Sequence, residues 1–403
     1  MTAVPISTLT FRTNALDSME ALEAALSKTQ EQLSTGKSLQ TAADNPTGMA
    51  EVNQLNMELS ASQQYVTNGN IASTNLKLEE QALTDATNLL QSARDVAIQA
   101  NDATLNASDR QNLATQLQQQ LQQLVSIANR QDSGGNYLFS GYAAGTQPFA
   151  QGGNSVSYSG ADAVSQVQIS TEQRISAGDS GSSVFMNIPA GNGTFTTAVA
   201  STNTGTASIG AGTVTDPTQW VPDTYSISFT SSTQYQITDQ TTGALVTSGT
   251  LSNASGATNT ISFNGIQVSL SGTPAAGDSF TVQPAGTASV FSTIAGLVST
   301  LSSSNLSPAQ IATQLNQGLE QIDGAINHLN DVQASVGGRI NAVSAAQTSA
   351  QSQQTDYKAT VSQISDTDYA QATTQLSTEE LALQAAQESY ASLEKLSLFN
   401  YVQ

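Results

Sequence analysis

Cysteine is absent from the chain, and histidine occurs once, at His328. Without a thiol there can be no disulfide framework, no thiolate metal site and no cysteine nucleophile. A lone imidazole does not make a zinc site, and the carboxylates that remain suit harder ions. In "AINHLND", His328 stands between Ile326 and Leu329 and reads as a polar flank of an apolar seam. Charge is also scarce: 10% of the 403 residues are Asp, Glu, Lys or Arg, against roughly 25% in an ordinary globular chain. Eleven basic and 31 acidic side chains leave a formal charge of -20. That balance repels phosphate backbones and anionic headgroups, so no nucleic acid and no membrane surface is an expected partner. No apolar run approaches the roughly 18 residues of a membrane span. The start, "MTAVPISTLTF", has neither a basic leader nor a continuous apolar segment, so no cleaved export signal is expected. No Lys or Arg lies between Arg174 and Arg339, which removes any basic site for an anionic ligand from the middle of the chain.

What the chain does have is helical periodicity at both ends and strand periodicity between them. From about residue 14 to 34, Met19, Leu22, Leu26 and Leu33 fall at steps of three, four and seven, an amphipathic helix with a heptad seam. "STGKSLQTAADNPTGMA", residues 34–50, interrupts it. Its Gly-Lys-Ser is the tail of a phosphate-binding loop, but such a loop needs a glycine where Glu31 stands, and a carboxylate there repels a nucleotide. The stretch is better read as a joint between two helical layers, with Gly36, Asn45, Pro46 and Gly48 supplying the turn chemistry. The seam resumes with Met49, Val52, Leu55, Leu59 and Val66 and continues through Leu76, Leu83 and Leu90. A single helix to residue 100 would be about 75 Å long. Ser108 with Gln111 reads as a capping box opening a third helix, which carries Leu113, Leu117, Leu121, Leu124 and Ala128 and stops at Gly134-Gly135. Joined by "NDATLNAS", the second and third helices make an antiparallel hairpin.

From residue 136 to 284 the period is two. "TYSISFT", "QYQITD", "ALVTSGTL", "TISFNGIQVSLSG" and "SFTVQP" alternate β-branched or aromatic residues with polar ones, which predicts an antiparallel β domain with Trp220 as a packing residue. Helical spacing returns at Ser307-Pro308, an N-cap followed by proline at the first helical position, and runs from Ile311 to Val343. Polar-rich sequence then intervenes to Asp368. A last capping box, Ser377 with Glu380, opens a helix carrying Leu376 just before it and Leu381, Ala385, Leu393 and Leu396 within it. Isolated helices are marginal in water, so the terminal zones are expected to pack together and the middle to be an insertion. The predicted fold is α+β and multidomain: a long antiparallel, coiled-coil helical bundle built from both termini, with an inserted antiparallel β domain. The predicted division is 1–45 with 360–403 as a terminal layer, 46–134 with 290–359 as a bundle layer, and 135–289 as the β insertion, divisible at 188/189.

No catalytic, cofactor-binding or metal-binding constellation stands out. Asp366 and Asp368 in "ISDTDYA" are two apart, cannot share a helix face and have no His or Lys near them in sequence; they read as a solvated helix start. Asn106, Asn192 and Asn253 match the glycosylation triplet, a pattern that arises often by chance in Ser/Thr-rich sequence. An enzyme is therefore not expected.

"LSTGKSLQTAADNPTGMA" resembles the N-terminal signature of bacterial flagellins and flagellar hook-associated proteins, the flagellin superfamily. "QASVGGRIN" (333–341) and "VSQISDTDYAQATTQLSTEELALQAA" (361–386) resemble the C-terminal signature. "GNYLFSGYAAGTQPF" (135–149), "GIQVSLSGTPAAGDSFTVQP" (265–284) and the ending "LSLFNY" resemble the hook-filament junction members in particular. The resemblance implies a secreted structural subunit of the bacterial flagellum, exported unfolded and placed at the hook-filament junction. It also implies self-association in a tubular lattice, another hook-associated protein on the hook side, flagellin on the filament side and an export chaperone. The seams add a mechanism: Met19, Leu22, Leu26, Leu33, Leu376, Leu381, Leu393 and Leu396 stay unpaired and largely disordered in the monomer and order against neighbouring subunits. The competing readings are a filament-forming flagellin and a secreted adhesin or effector with a coiled-coil stalk and a β head.

Overall fold

The computed structural model describes residues 8–399 apart from 103 and 253–257. Asn253 therefore lies outside the described residues. Two compact units emerge, Met1–Val66 with Thr348–Gln403, and Thr67–Gln347. The first holds α1 (Thr8–Thr35), the beginning of α2 (Pro46–Ala100), the end of α5 (Pro308–Ser365) and α6 (Tyr369–Phe399). The second holds the rest of α2 and α5, α3 (Ala107–Ala128), α4 (Val290–Ser302) and all the strands.

In the second unit, α2 lays a stripe of alternating bulk against its neighbours: Ala72, Leu76, Leu83, Ala86, Leu90, Ala93 and Ala97 are fully buried. Leucine fills the gaps and alanine lets the helices approach. Polar side chains beside this seam fix its register. Gln347 Nε2 donates to Asn70 Oδ1 at 2.8 Å, Gln333 Nε2 to Thr84 Oγ1 at 3.0 Å, Arg94 Nε to Asp323 Oδ1 at 2.5 Å and Asn101 Nδ2 to Asn316 Oδ1 at 3.0 Å. Steps of fourteen, ten and seven residues along α2 are matched by equal steps backward along α5, so the pair is antiparallel and does not slip. Helix α3 folds back on α2 as the hairpin reading requires, with Gln120 Nε2 on Ser92 Oγ at 2.9 Å and Arg130 on Asp85 at 2.6 Å.

The helix ends differ from the expected ones in four places. The cap of α3 is Asn106, whose side chain accepts from Asp109 N, and not Ser108: asparagine caps as well as serine, and here it occupies the position whose Oδ1 reaches the third amide. The helix ends at Ala128, six residues before Gly134, because the Asn129 side chain turns away to hold both backbone groups of Phe149, at 2.8 and 2.9 Å. Helix α5 runs through the polar-rich stretch to Ser365, and α6 begins at Tyr369 with Asp368 Oδ1 accepting from Ala370 N and Gln371 N. Ser377 lies inside that helix, its hydroxyl bonded back to Thr373 O. At the other end of α5 the capping role of Ser307 stands, reciprocated by Gln310.

Helix α4 buries a broad apolar face, with Val290, Phe291, Ile294, Leu297 and Leu301 buried and Ser292, Gly296 and Ser299 exposed, and opens with a Ser289–Ser292 capping box. It lies so close to α5 that a Cβ on Gly318 would stand 2.3 Å from Leu297 Cδ2. Against it sit a small hairpin, β1 (Phe149–Gly152) with β2 (Ser155–Tyr158), and a single π turn (Ser182–Met186). Two further two-stranded ribbons belong to this unit: β3 (Gln166–Gln168) with β4 (Arg174–Ser176), and β5 (Ile188–Pro189) with β15 (Thr287–Ala288).

The larger β body has its own core. One antiparallel sheet runs β11 (Leu245–Thr250), β10 (Gln234–Asp239), β9 (Tyr225–Phe229), β14 (Ser279–Pro284), β6 (Phe195–Val199). The other runs β12 (Asn259–Phe263), β13 (Ile266–Ser271), β7 (Ser208–Ile209), with β8 (Thr213–Val214) also on β13. Alternate residues Tyr225, Ile227 and Phe229 of one sheet and Ile266, Val268 and Leu270 of the other are buried in one cluster, which makes a sandwich. Asn264-Gly265, both with positive φ (44° and 72°), closes the β12–β13 hairpin as the two-residue turn that suits strand twist. Trp220 packs on this core beside Phe195 and Tyr225, ring centroids 5.6 and 5.9 Å away.

Candidate functional site

The interruption at 34–50 is a helix stop, a strand-like crossing and a helix start in succession. Gly36 ends α1 in the left-handed region (φ 70°), its N-H donating to Gln32 O at 2.9 Å. Lys37 then pairs with Asp366 as an isolated antiparallel bridge, backed by their side-chain ion pair. Ser38 N donates to Ser365 O at 2.8 Å, and Thr367 N donates to Gly36 O at 2.9 Å. Asp44 collects Thr41 N at 2.9 Å and Lys28 Nζ at 2.7 Å. The Lys28 ammonium first, then the Thr41 amide and hydroxyl, hold its carboxyl well below the usual range. Asn45 Oδ1 caps α2 by accepting from Gly48 N at 3.0 Å, and Pro46 occupies the first helical position, where no N-H is needed. Gly48 is buried; a Cβ there would press to 2.8 Å from Asn45 Nδ2.

All four expected joint residues thus sit in one crossing. Their partners from the C-terminal side were not foreseen: Asp366 serves Lys37, and Asp368 caps α6. Tyr369 lays its hydroxyl over Gly36, where a Cβ would come within 2.9 Å of it. Gly36→Ala is expected to destabilise the first unit by about 1–2 kcal/mol through the left-handed backbone alone, since the tyrosine tip can move. Faster hydrogen exchange in α1 is the measurement that checks it.

Helix α1 pairs antiparallel with α6: Thr29 Oγ1 donates to Glu379 Oε2 at 2.8 Å and Thr367 Oγ1 to Gln32 O at 3.2 Å. Met19, Leu22, Leu26 and Leu33 are half-buried on α1, with Thr29 buried among them. On α6 the matching stripe is Ala372, Leu376, Glu379, Leu383, Ala386 and Tyr390, again at steps of four and three. Leu376 belongs to it, but Leu381 does not. Leu381 is 68% exposed and Ala385 is exposed with it, so α6 carries a second, uncovered apolar stripe. Leu16 of α1 is 43% exposed. The side chains of Leu393 and Leu396 lie outside the described residues. Among the described residues no cluster of His, Cys, Asp or Glu could hold a metal, and no helix is long and apolar enough to cross a membrane. His328 is half-buried, its Nε2 2.8 Å from Ser183 O. Asn192 is engaged in its own turn, accepting from Thr194 N and Phe195 N.

Comparison with known proteins gives this arrangement a family. The bacterial flagellin N-terminal helical region matches residues 6–144 and the bacterial flagellin C-terminal helical region residues 319–402. The solved flagellar hook associated protein-3 of Legionella pneumophila is 32% identical and superposes with a TM-score of 0.72, over 78% of this chain and 98% of that one. The chain belongs to the flagellar hook-associated protein 3 family. A further structure, described as the flagellar junction protein of Legionella pneumophila, is 31% identical with a TM-score of 0.68, over 78% of this chain and all (100%) of the other. Flagellar hook-associated protein 3 of Escherichia coli K12 is 31% identical over 166 residues, 41% of this chain and 52% of its own length. The chain thus spans about half the length of the curated relatives of the hook-associated protein 3 family that it matches. Residues 198–284, the β sandwich, match the D2-like domain of flagellar hook-associated protein 1. The fold of the hook-associated protein 3 family is therefore the α+β fold read from the sequence, with terminal helices and a central antiparallel β domain.

Proposed function

We propose that the chain is a structural subunit of the bacterial flagellum that joins hook to filament. The observation that carries this reading is the match over 98% of the Legionella pneumophila hook associated protein-3 structure. The geometry supports it. Helices α1 and α6 cover one apolar stripe between them and leave Leu16, Leu381 and Ala385 facing outward. In this reading the terminal layer, 1–45 with 360–403, orders fully only when sister subunits cover the second stripe, and the joint at Gly36, Asn45, Pro46 and Gly48 keeps it distinct from the bundle layer. Non-closing contacts of this kind generate a helical tube. Another hook-associated protein lies below, flagellin lies above, an export chaperone holds the chain beforehand, and the protein works outside the cell without enzymatic activity.

Limited proteolysis tests the mechanism. The dilute monomer is expected to lose roughly 40 residues from each end, as weakly ordered termini do. Mixing with purified hook-associated and flagellin partners is expected to protect them. Ends that resist protease in the dilute monomer would overturn coupled ordering and favour a prefolded stalk.

A further inference from the structure

Glu79 of α2 is 1% exposed, and neither of its carboxylate oxygens accepts a hydrogen bond. An ionised carboxylate sealed from water without a donor is so unfavourable that such a group neutralises instead. Its surroundings indicate how. Asp179, from the segment just ahead of the π turn, is the carboxylate beside it, and the Asp179 N-H is in range but not aligned on either Glu79 oxygen. Arg339 of α5 binds Asp179 through Nη2 and donates Nη1 to Gly178 O at 3.2 Å. The Arg339 Nε is buried with no acceptor. From the loop after α3, Asp132 and Tyr137 line the same cavity of about 250 Å³, and the Asp132 oxygens are already taken by Gly134 and Asn136. On the face of α2 that carries Glu79, Asn75, Leu76, Ala82 and Leu83 have no charge, and the neighbouring Lys77 and Glu80 are at least partly exposed.

We propose that Glu79 holds a proton in the folded chain and donates it to the Asp179 carboxylate, so that folding of this unit takes up one proton. Asp179 then accepts from Glu79 on one side and from Arg339 on the other, and ties the segment before the π turn to both α2 and α5. Burial first, and then the negative charge of Asp179, push the Glu79 carboxyl well above its ordinary value of 4.5, against an opposing pull from Arg339. Because the folded value is the higher one, the contribution of this group is fully present below the unfolded value. It is lost as pH rises toward the folded value, where the unfolded chain alone has released its proton. Alkaline conditions therefore loosen this part of the fold, and acid tightens it.

The test is urea unfolding of the full chain and its Glu79→Gln variant from about pH 4 to about pH 9. The amide keeps a donor for Asp179 at every pH. Equal stability at the acid end is expected, with the variant gaining about tenfold in its folding constant per pH unit above it until the folded value is passed. Parallel profiles would overturn the proposal and would mean that Glu79 turns to Arg339 Nε and stays ionised. Should the variant fail to fold, calorimetry of a Glu320→Gln background in two buffers decides instead, because burial and Asp323 hold Glu320 up to about 7. Release of about one proton on unfolding near neutral pH supports the assignment, and no release overturns it.

Discussion

Phe185→Ala is expected to lower the stability of the second unit by about 3–5 kcal/mol. The ring is fully buried in the π turn and meets three others: Phe139 edge-on at 5.0 Å, Phe149 edge-on at 5.7 Å and Phe291 at 5.9 Å. These come from the loop after α3, from β1 and from α4, so one side chain joins segments far apart in the sequence. The surroundings cannot collapse into the space. Gly181 already lies against the Phe149 ring, where a Cβ would stand 2.6 Å from Cζ. The cost therefore includes a cavity as well as the lost transfer of the ring. Urea unfolding should show a shifted midpoint with an unchanged slope, because the surface exposed on unfolding stays the same. A loss below about 1 kcal/mol, the scale of an ordinary surface change, would mean that the aromatic cluster repacks and is not the rigid joint between bundle and β elements.

Much of the fold is legible in the sequence wherever burial is one-sided. Leu76, Leu83 and Leu90 announce α2 because only one face of that helix is covered at each level. "TYSISFT" announces β9 because Tyr225, Ile227 and Phe229 point inward while Ser226 and Ser228 do not. Legibility fails where the exposed face is narrow or the buried one lacks large side chains. Helix α4 is short, and its exposed face of Ser292, Gly296, Ser299 and Ser302 is narrow and uncharged, so little marks its period. The stretch leading to Ser365 has few large apolar residues, yet it is helical, with Ala350 O accepting from the Ser62 hydroxyl of α2 at 3.0 Å. Its order comes from a partner helix nearly three hundred residues away in the chain. Caps fail for another reason. Asn106 and Ser108 are chemically near-equal candidates two residues apart, and a single side-chain hydrogen bond chooses between them.

The joint shows the same division between local and distant chemistry. Gly36, Asn45 and Pro46 are recognisable because each satisfies a backbone demand within three or four residues of itself. Lys37 with Asp366 and Gly36 with Tyr369 cannot be found that way, since both pairings join opposite ends of the chain. The apparent carboxylate pair Asp366 and Asp368 separates into two unrelated duties once that closure is seen. On α6, one apolar stripe is read easily from Leu381 and Ala385. The intrachain contact instead uses Ala372, Leu376 and Leu383, interrupted by Glu379, and a charged residue within a seam hides it from any count of leucines.

Deleting residues 369–403 is expected to abolish incorporation into flagella, with binding to partners weakened by more than about a hundredfold. Each 1.4 kcal/mol is tenfold, and the deletion removes an entire helix from the proposed interface. It also takes the Glu379 acceptor from buried Thr29 and uncovers Met19, Leu22, Leu26 and Leu33, so α1 loses both its partner and its reason to stay helical. Helix α6 belongs to the first unit, and the urea midpoint of the second unit is not expected to move. In cells whose own copy is replaced by the truncated one, hooks should persist while flagellin leaks into the medium. Leu381→Gln separates the two stripes: it leaves the α1 contact intact and alters only the outward face, so it should impair incorporation without exposing α1 to hydrogen exchange. A truncated chain that still enters flagella would show that the terminal helices are not the assembling surface, and the junction reading would then have to rest on the β sandwich.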